Sequence, residues 1–304
     1  MLIRALTKTL AWCARSLPEA WLWRLGSGFG WAWHSVFPIR RALVRSQMQH
    51  RLGVSEAESA RLAKRMYLHL GVCVAELFRF GSRRGLEPTL RVEGEHHLLA
   101  AIAEGRGVLA VTGHLGNWEL LARYGADLSA PLNIVTRRLS LGLFQGMWEV
   151  LREGGATLIG ADAAGRPALA ALKRGEIVGF VLDQHAPERS AVTVNFMGRP
   201  AATSTGLVRA ARLTRAPIIP LFSWREGTTH VISIGAPISV DAELGRKEFI
   251  RVVTARCSDA VQAAVREHPE QWLWLHRRWK VPESLDSSEA LELEALEAPC
   301  RETA

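Results

Sequence analysis

The stretch Val111-Thr-Gly-His-Leu-Gly-Asn-Trp-Glu-Leu120 marks the passage from a strand to a helix. Residues 107–112 are apolar and rich in β-branched side chains, which predicts a buried strand, and residues 117–128 carry a helical pattern. His114 is therefore expected where a strand ends and a helix begins. In open α/β sheets, ligands bind at the carboxyl ends of the strands, so this histidine is a candidate site residue.

Glu119 follows His114 at a spacing that allows the two side chains to act as a general base and its orienting carboxylate. On one continuous helix, residues five apart point about 140° away from each other, so the pair meets only if the chain bends. Gly113 and Gly116 permit such a bend, and Asn117 is a suitable N-cap for the following helix. The pattern alone leaves open a core histidine and a solvated helix glutamate.

Apolar and helical patterns alternate along the chain after residue 94. Strands are predicted at residues 107–112, 132–136, 156–159, 177–182, 192–196, 218–222 and 230–234. Helices are predicted at residues 96–103, 117–128, 142–153, 165–174, 204–214 and 246–267. Strands separated by helices of this length indicate an α/β fold with a mainly parallel central sheet and helices on both faces, an αβα sandwich.

Residues 1–39 contain five of the eleven tryptophans, interspersed with arginine and lysine. The longest run without a charge covers only the 15 residues 25–39, whereas a transmembrane helix needs about 20. Tryptophan favours the membrane interface, so we expect interfacial or re-entrant helices here. A tryptophan-rich soluble hairpin packed on the core is the alternative. Residues 40–80 are predicted to form two further helices, the second capped by Ser55 with Glu58.

Charge and composition divide the chain into three predicted regions. They are a basic, membrane-interacting helical region at residues 1–90, an α/β catalytic domain at residues 91–282 and an acidic tail at residues 283–304. The whole chain has a net charge of +8, but residues 1–282 hold 37 basic and 23 acidic residues, a net +14. A basic body implies an anionic partner. The four cysteines are scattered, which indicates neither a disulfide framework nor a zinc site and favours a reduced cytoplasmic setting.

Further polar groups follow the predicted strands. Arg137 and Arg138 come after residues 132–136, where adjacent arginines suit phosphate or carboxylate recognition. Asp183 follows residues 177–182 and is either a structural cap or a site acid. Arg152 ends a predicted helix, where a cation meeting the helix dipole is the simpler explanation. The closing residues 268–280 mix aromatic and basic side chains, and by themselves they fit nucleic-acid binding, membrane contact or core.

Four ordered motifs resemble the bacterial lipid A biosynthesis late acyltransferase family, which shares an H-x4-D/E motif with glycerophosphate and lysophospholipid acyltransferases. They are Thr112-Gly-His-Leu-Gly-Asn-Trp-Glu119, Asp183-Gln184, Val194-Asn-Phe-Met-Gly-Arg-Pro200 and Pro269-Glu-Gln-Trp-Leu-Trp-Leu-His-Arg-Arg-Trp279. The resemblance spans roughly residues 1–280 and includes the tryptophan-rich start. It does not cover the acidic tail.

The resemblance implies an O-acyltransferase that needs no cofactor or metal. The donor would be an acyl thioester of acyl carrier protein or coenzyme A, and the acceptor a hydroxyl of a membrane lipid, expected to be a lipid A precursor. The enzyme would work at the cytoplasmic face of the inner membrane. His114 would take the proton of the hydroxyl, and Glu119 would fix the imidazole tautomer. The residues implied in substrate binding are Asn117, Arg137, Arg138, Arg152 and Asp183.

Three other interpretations remain at this stage. Within the same class, the acceptor could be another glycolipid or a phospholipid. A non-catalytic peripheral membrane or nucleic-acid-binding protein would use the basic surface, but it leaves the strand–His114–helix pattern unexplained, and no nucleic-acid-binding motif is present. A metal hydrolase would need a third ligand at a familiar spacing beside His114 and Glu119, and the sequence has no H-E-x-x-H. Because the sequence has no nucleic-acid-binding motif, we expect no nucleic-acid partner.

Overall fold

The computed structural model describes residues 2–79, 90–137, 156–241 and 243–280. Four helices come first: α1 (Leu2–Ser16), α2 (Glu19–Ser35), α3 (Arg41–Leu52) and α4 (Glu56–Arg79). The predicted cap of α4 is confirmed, because the backbone N–H of Glu58 donates to Ser55 Oγ at 3.2 Å. Within the described ranges, no helix combines the length and the apolar character needed to cross a membrane.

Helices α2 and α4 approach each other closely through glycines. A Cβ atom on Gly30 would lie 2.2 Å from the Tyr67 carbonyl oxygen, and one on Gly71 would lie 2.2 Å from the Gly26 carbonyl oxygen. Because only glycine fits at these positions, α2 turns its small residues towards α4. Its large side chains are left outside: Trp21, Leu25, Phe29 and Trp31 are all at least half exposed.

The rest of the described chain forms an α/β fold. The strands are β1 (Leu90–Glu93), β2 (Val108–Thr112), β3 (Leu132–Thr136), β4 (Thr157–Gly160), β5 (Ile177–Val181), β6 (Ala191–Phe196), β7 (Arg199–Ser204), β8 (Ile218–Glu226) and β9 (Thr229–Ile234). The helices are α5 (Glu95–Ala103), α6 (Glu119–Gly125), α7 (Gly165–Lys173), α8 (Gly206–Thr214) and α9 (Arg246–Glu267).

Seven strands pair in the order β1-β9-β8-β2-β5-β3-β4, and every pairing is parallel except β8 with β9. Strands β6 and β7 form a separate antiparallel hairpin. The prediction of a mainly parallel central sheet is therefore confirmed. The sequence patterns predicted no strand at the positions of β1 and β7. The helix predicted at residues 142–153 lies outside the described residues.

Alternate residues of β2 point into two different cores. Leu109 and Val111 pack with α4, α7, α8 and α9 on one face, whereas Val108 and Ala110 pack with α5 and α6 on the other. All four side chains are at most 2% exposed, as expected for a strand at the centre of a parallel sheet. Both faces of the sheet are thus covered by helices, and the carboxyl end of β2 opens into the site described next.

Candidate active site

His114 and Asp183 meet because the strands that precede them are neighbours. Strand β2 ends at Thr112 and β5 ends at Val181, and these two residues are paired in parallel register. Parallel strands bring their carboxyl ends to the same edge of the sheet, so the residues that follow them lie side by side.

Asp183 is the carboxylate that holds His114. The Nδ1 atom of His114 lies 2.8 Å from Asp183 Oδ1, and the His114 backbone N–H donates to Asp183 Oδ2 at 2.6 Å. The indole N–H of Trp272 donates to the same Oδ2 at 2.7 Å. Burial by itself would raise the pKa of Asp183, but the charge and hydrogen bonds of His114 and the bond from Trp272 outweigh it. The pKa therefore lies well below its usual range.

This contact sets the tautomer of the imidazole. An ionised carboxylate only accepts hydrogen bonds, so Nδ1 of neutral His114 carries the hydrogen and Nε2 keeps a lone pair. The His114 side chain is 18% exposed, which leaves the ring within reach of a substrate. The Trp118 ring packs edge-on against it, with centroids 5.1 Å apart.

The carboxylate that contacts Nδ1 of His114 is that of Asp183. The tautomer-fixing role that the family resemblance implied for Glu119 stays a prediction. Asp183 is only 1% exposed, so it positions His114 instead of lying open to a substrate. Glu119 is the first residue of α6 and is buried. Its participation in catalysis stays a prediction.

The loop between β2 and α6 has the bend that its glycines predict. Gly116 has a φ of +58°, and a Cβ atom there would lie 2.3 Å from the Ser223 carbonyl oxygen, so only glycine fits. The helix starts at Glu119, two residues later than predicted, and Asn117 makes no capping bond to it.

The closing segment, residues 268–280, is hydrogen-bonded to this loop through its backbone. The Leu273 N–H donates to the His114 carbonyl at 3.0 Å, and the Gly116 N–H donates to the Gln271 carbonyl at 3.0 Å. The side chains of Trp272 and Trp274 are at most 1% exposed. The aromatic residues that left this segment open to three interpretations therefore build the core of the site.

A buried charge network supports the loop from below. Glu76 on α4 accepts a hydrogen bond from Asn117 Nδ2 at 3.0 Å. It also forms a salt bridge with Arg225, whose Nη2 donates to the carboxylate at 2.5 Å. His230 Nε2 lies 3.3 Å from the same carboxylate, and the Trp23 indole donates to it at 3.1 Å. Burial opposes ionisation of Glu76, but His230 and Arg225 lower its pKa to about 2. Asn117 is thus buried and positions the loop, instead of presenting its side chain to a substrate.

The predicted arginines are only partly described. Arg137 is exposed at the end of β3, the neighbour of β5, and therefore lies at the same edge of the sheet as His114. Arg138 and Arg152 lie outside the described residues. Their predicted roles stay predictions.

Sequence reasoning missed Trp272, Gln184 and His276, which all contact the His114–Asp183 pair or each other. Asp183-Gln184 and the closing segment belong to the motifs that carried the family resemblance. The contacts that bring them to the site, however, join residues that are 69 to 92 positions apart in the chain.

Cys73 is the cysteine that lies beneath the loop, with Sγ 3.6 Å from the Gly116 carbonyl oxygen. Burial raises the pKa of its thiol above the usual value, so the sulfur stays protonated and is a poor nucleophile. Among the residues that the structure describes, no group of three or more His, Cys, Asp or Glu side chains is arranged to hold a metal ion.

Comparison with known proteins identifies the family of this chain. The family model for bacterial lipid A biosynthesis acyltransferases matches residues 2–281. The chain belongs to this family. It is an acyltransferase that acts on a lipid acceptor.

Several curated acyltransferases are similar in sequence to this chain. The lipid A biosynthesis lauroyltransferase of Escherichia coli K12 is 29% identical over 290 residues, which is 91% of each chain. The palmitoleoyltransferase of the same organism is 24% identical and covers 86% of this chain and 92% of its own. A phosphatidylinositol mannoside acyltransferase of Mycobacterium tuberculosis is 24% identical over 62% of this chain and 59% of its own. The crystal structure of the 1-acyl-sn-glycerophosphate acyltransferase PlsC from Thermotoga maritima covers 84% of this chain and all of its own, with 17% identity and a TM-score of 0.39.

Proposed function

We propose that this acyltransferase moves a fatty acyl chain from an acyl thioester to a hydroxyl of a lipid A precursor. The observation that carries the proposal is the His114–Asp183 pair at the carboxyl end of β2, since it supplies a base whose Nε2 is unprotonated. Membership of the family and the lauroyltransferase relative support a lipid A precursor as the acceptor.

The first half of the reaction needs a base because a hydroxyl is a poor nucleophile. Nε2 of His114 takes the hydroxyl proton while the oxygen bonds to the thioester carbonyl carbon. The buried negative charge of Asp183 stabilises the imidazolium that forms, and the hydrogen bond to Nδ1 keeps the ring in place.

The second half expels the thiol. The C–S bond breaks as the carbonyl re-forms, and the imidazolium of His114 gives its proton to the leaving thiolate. The products are one ester and one thiol, and His114 is neutral again. No acyl-enzyme intermediate is required, which fits the protonated state of Cys73.

The donor is proposed to be acyl carrier protein, with acyl-coenzyme A as the alternative. Both donors and a phosphorylated acceptor are anionic, whereas residues 1–282 carry a net +14. Arg137 is exposed beside the site, and its charge contributes to lowering the pKa of His276 and His185. This position suits it to bind a phosphate of the donor or the acceptor.

We also propose attachment to the cytoplasmic face of the inner membrane through α1, α2 and the turn after them. Of the fifteen large apolar side chains exposed in the described residues, ten fall in this part, so the exposure is concentrated on one region. They are Leu6, Leu10, Trp12, Trp21, Leu25, Phe29, Trp31, Val36, Phe37 and Ile39. Concentrated apolar exposure rich in tryptophan favours an interfacial position.

The proposal is tested by product analysis with the full chain in detergent. Acyl carrier protein and coenzyme A thioesters are each offered a tetra- or penta-acylated lipid A precursor, a lysophospholipid and no acceptor. Mass spectrometry of the lipids should show one added acyl chain on the lipid A precursor. Acylation of the lysophospholipid alone would replace the proposed acceptor with a glycerophospholipid.

A further inference from the structure

A second histidine shares the surroundings of His114. The ring centroids of His114 and His276 are 5.5 Å apart. The side-chain amide of Gln184 lies between them. Its nitrogen is 3.4 Å from Nδ1 and 3.3 Å from Nε2 of His114, over the face of that ring, and 2.9 Å from Nε2 of His276. The reaction as described above uses neither Gln184 nor His276.

The hydrogen positions of these three side chains follow from the groups that they contact. Because the Asp183 carboxylate accepts from Nδ1 of His114, Nε2 of neutral His114 carries a lone pair. The structure places the NH₂ group of Gln184 beside Nε2 of His276, and an amide nitrogen donates hydrogen bonds but does not accept them. The same NH₂ group therefore donates to Nε2 of His276, and the hydrogen of His276 resides on Nδ1.

His276 remains neutral in this position. Burial and the charge of His114, with smaller effects of Arg40 and Arg137, lower its pKa to about 4, although Asp183 acts in the opposite direction. Its Nδ1 has no hydrogen-bond partner within the described ranges and is not among the buried polar atoms. The ring therefore offers an N–H donor that a ligand can reach.

The backbone on both sides of His276 is fixed by bonds to other elements. Arg40 Nη1 donates to the Leu275 carbonyl at 2.7 Å, and Gln47 Nε2 donates to the Trp274 carbonyl at 2.7 Å. On the other side, the fully buried Arg278 donates to the Ala202 carbonyl at 2.7 Å. A donor held in this way needs little reorganisation when charge develops beside it.

We propose that His276 donates a hydrogen bond from Nδ1 to the carbonyl oxygen of the acyl thioester, and that Gln184 holds His276 in the tautomer that can donate. The inference rests on the proposed function. As the hydroxyl oxygen bonds to the carbonyl carbon and its proton passes to His114, negative charge develops on the carbonyl oxygen, where the His276 N–H stabilises it. When the C–S bond breaks, this charge returns to the C=O bond and the thiolate takes the proton from His114. His276 and Gln184 end the cycle with the hydrogens they began with.

The test compares three variants in the acyl-transfer assay. His276→Phe keeps a ring but removes the donor, so kcat should fall about 10²–10³-fold with KM little changed, the usual effect of losing one oxyanion donor. His276→Asn restores an N–H close to the Nδ1 position and should recover part of this loss. His96→Phe, at an exposed histidine on α5, is the matched control and should leave kcat unchanged.

Gln184→Met gives an independent readout of the chain of hydrogen bonds. Because Gln184 acts through His276, the variant should lower kcat less than His276→Phe, and the double variant should be no slower than His276→Phe alone. Losses that multiply, a loss confined to KM, or wild-type kcat in His276→Phe would overturn the inference. If His276→Phe does not fold, two other results would overturn the inference. One is a wild-type kcat in Gln184→Met, and the other is a kcat of His276→Asn no higher than that of His276→Ala.

Failure of the proposed function and failure of the role of His276 give different results. Absence of acyl transfer by the wild-type enzyme to every hydroxyl acceptor would overturn both proposals together. Acyl transfer by the wild type, abolished in His114→Ala and unaffected in His276→Phe, would overturn only the role of His276.

Discussion

A histidine works as a general base only if one ring nitrogen is unprotonated and the ring is held still. Asp183 meets both needs for His114 with two hydrogen bonds, one to the ring and one to the backbone N–H. Trp272 completes the solvation of the buried carboxylate, since its indole donates to the second oxygen. The three residues come from three separated parts of the chain, so each fixes the position of the next.

Asp183→Asn tests this arrangement. The substitution keeps the shape but removes the buried charge and lets the amide donate, so we expect kcat/KM to fall about 10²–10⁴-fold. Asp183 stabilises the imidazolium, so without it the pKa of His114 falls. The acidic limb of the pH–rate profile should therefore move to lower pH. Steady-state rates across the pH range measure both effects, with Asp162→Asn, an exposed carboxylate, as the control. An unchanged rate in Asp183→Asn would contradict the role given to this residue.

At the scale of elements, the contact between α2 and α4 depends on the absence of side chains. Gly30→Ala would place a Cβ atom 2.2 Å from the Tyr67 carbonyl oxygen, and Gly28→Ala, two residues earlier in the same helix, meets nothing within 4 Å. Overpacking in Gly30→Ala should lower the free energy of unfolding by about 1–3 kcal/mol. Gly28→Ala should raise it by about 0.5–1 kcal/mol, because alanine favours the helix. Thermal or denaturant unfolding of the two variants separates these effects, and equal destabilisation of both would contradict the packing.

The elements with strong periodicity were predictable from the sequence, and the contacts between them were not. Strand β3 and helix α9 were predicted with their observed bounds because their apolar patterns are unbroken. Strand β7 was missed because Pro200 and its small residues carry no strand pattern, and β1 is only four residues long. His114 and Asp183 were both placed at strand ends. That β2 and β5 are adjacent depends on sheet order, which local pattern does not encode.

Glu76 shows the same limit at the candidate site. It looks like an ordinary polar residue of an amphipathic helix, yet it is 2% exposed and joins α2, α4, the His114 loop and two strands. Only the assembled fold brings Arg225 and His230 to it, from positions about 150 residues away in the sequence.

At the scale of the whole molecule, the exposed apolar side chains are concentrated on α1, α2 and the turn after them, and the proposed membrane attachment depends on them. Replacing Trp21, Leu25 and Phe29 together with serine removes apolar contact area from α2 without touching its glycine side. We expect a large loss of co-sedimentation with vesicles of anionic phospholipid. Leu213→Ser removes an isolated exposed leucine from α8 and should leave sedimentation unchanged. Wild-type binding in the triple variant would contradict attachment through α2.

The basic body predicts a dependence on salt. Anionic donor and acceptor are attracted to the net +14 of residues 1–282, so kcat/KM should fall as ionic strength rises, because screening shortens the range of this attraction to about 8 Å at physiological salt. Initial rates at low substrate, from low to physiological salt, measure the effect. The value of kcat should change far less with salt, because it describes the enzyme with its substrates already bound. A kcat/KM that does not depend on salt would contradict electrostatic attraction of the substrates.

The most direct test of the account measures ester and thiol in the same reaction, for the wild type and for His114→Ala, with and without the hydroxyl-bearing lipid. Acyl transfer with His114 as the base predicts equal amounts of ester and thiol that depend on the lipid, and a fall of about 10²-fold or more in His114→Ala, the usual cost of losing a general base. Thiol release without the lipid, with free fatty acid as the product, would show a thioesterase. Ester formation at the wild-type rate in folded His114→Ala would equally contradict the account.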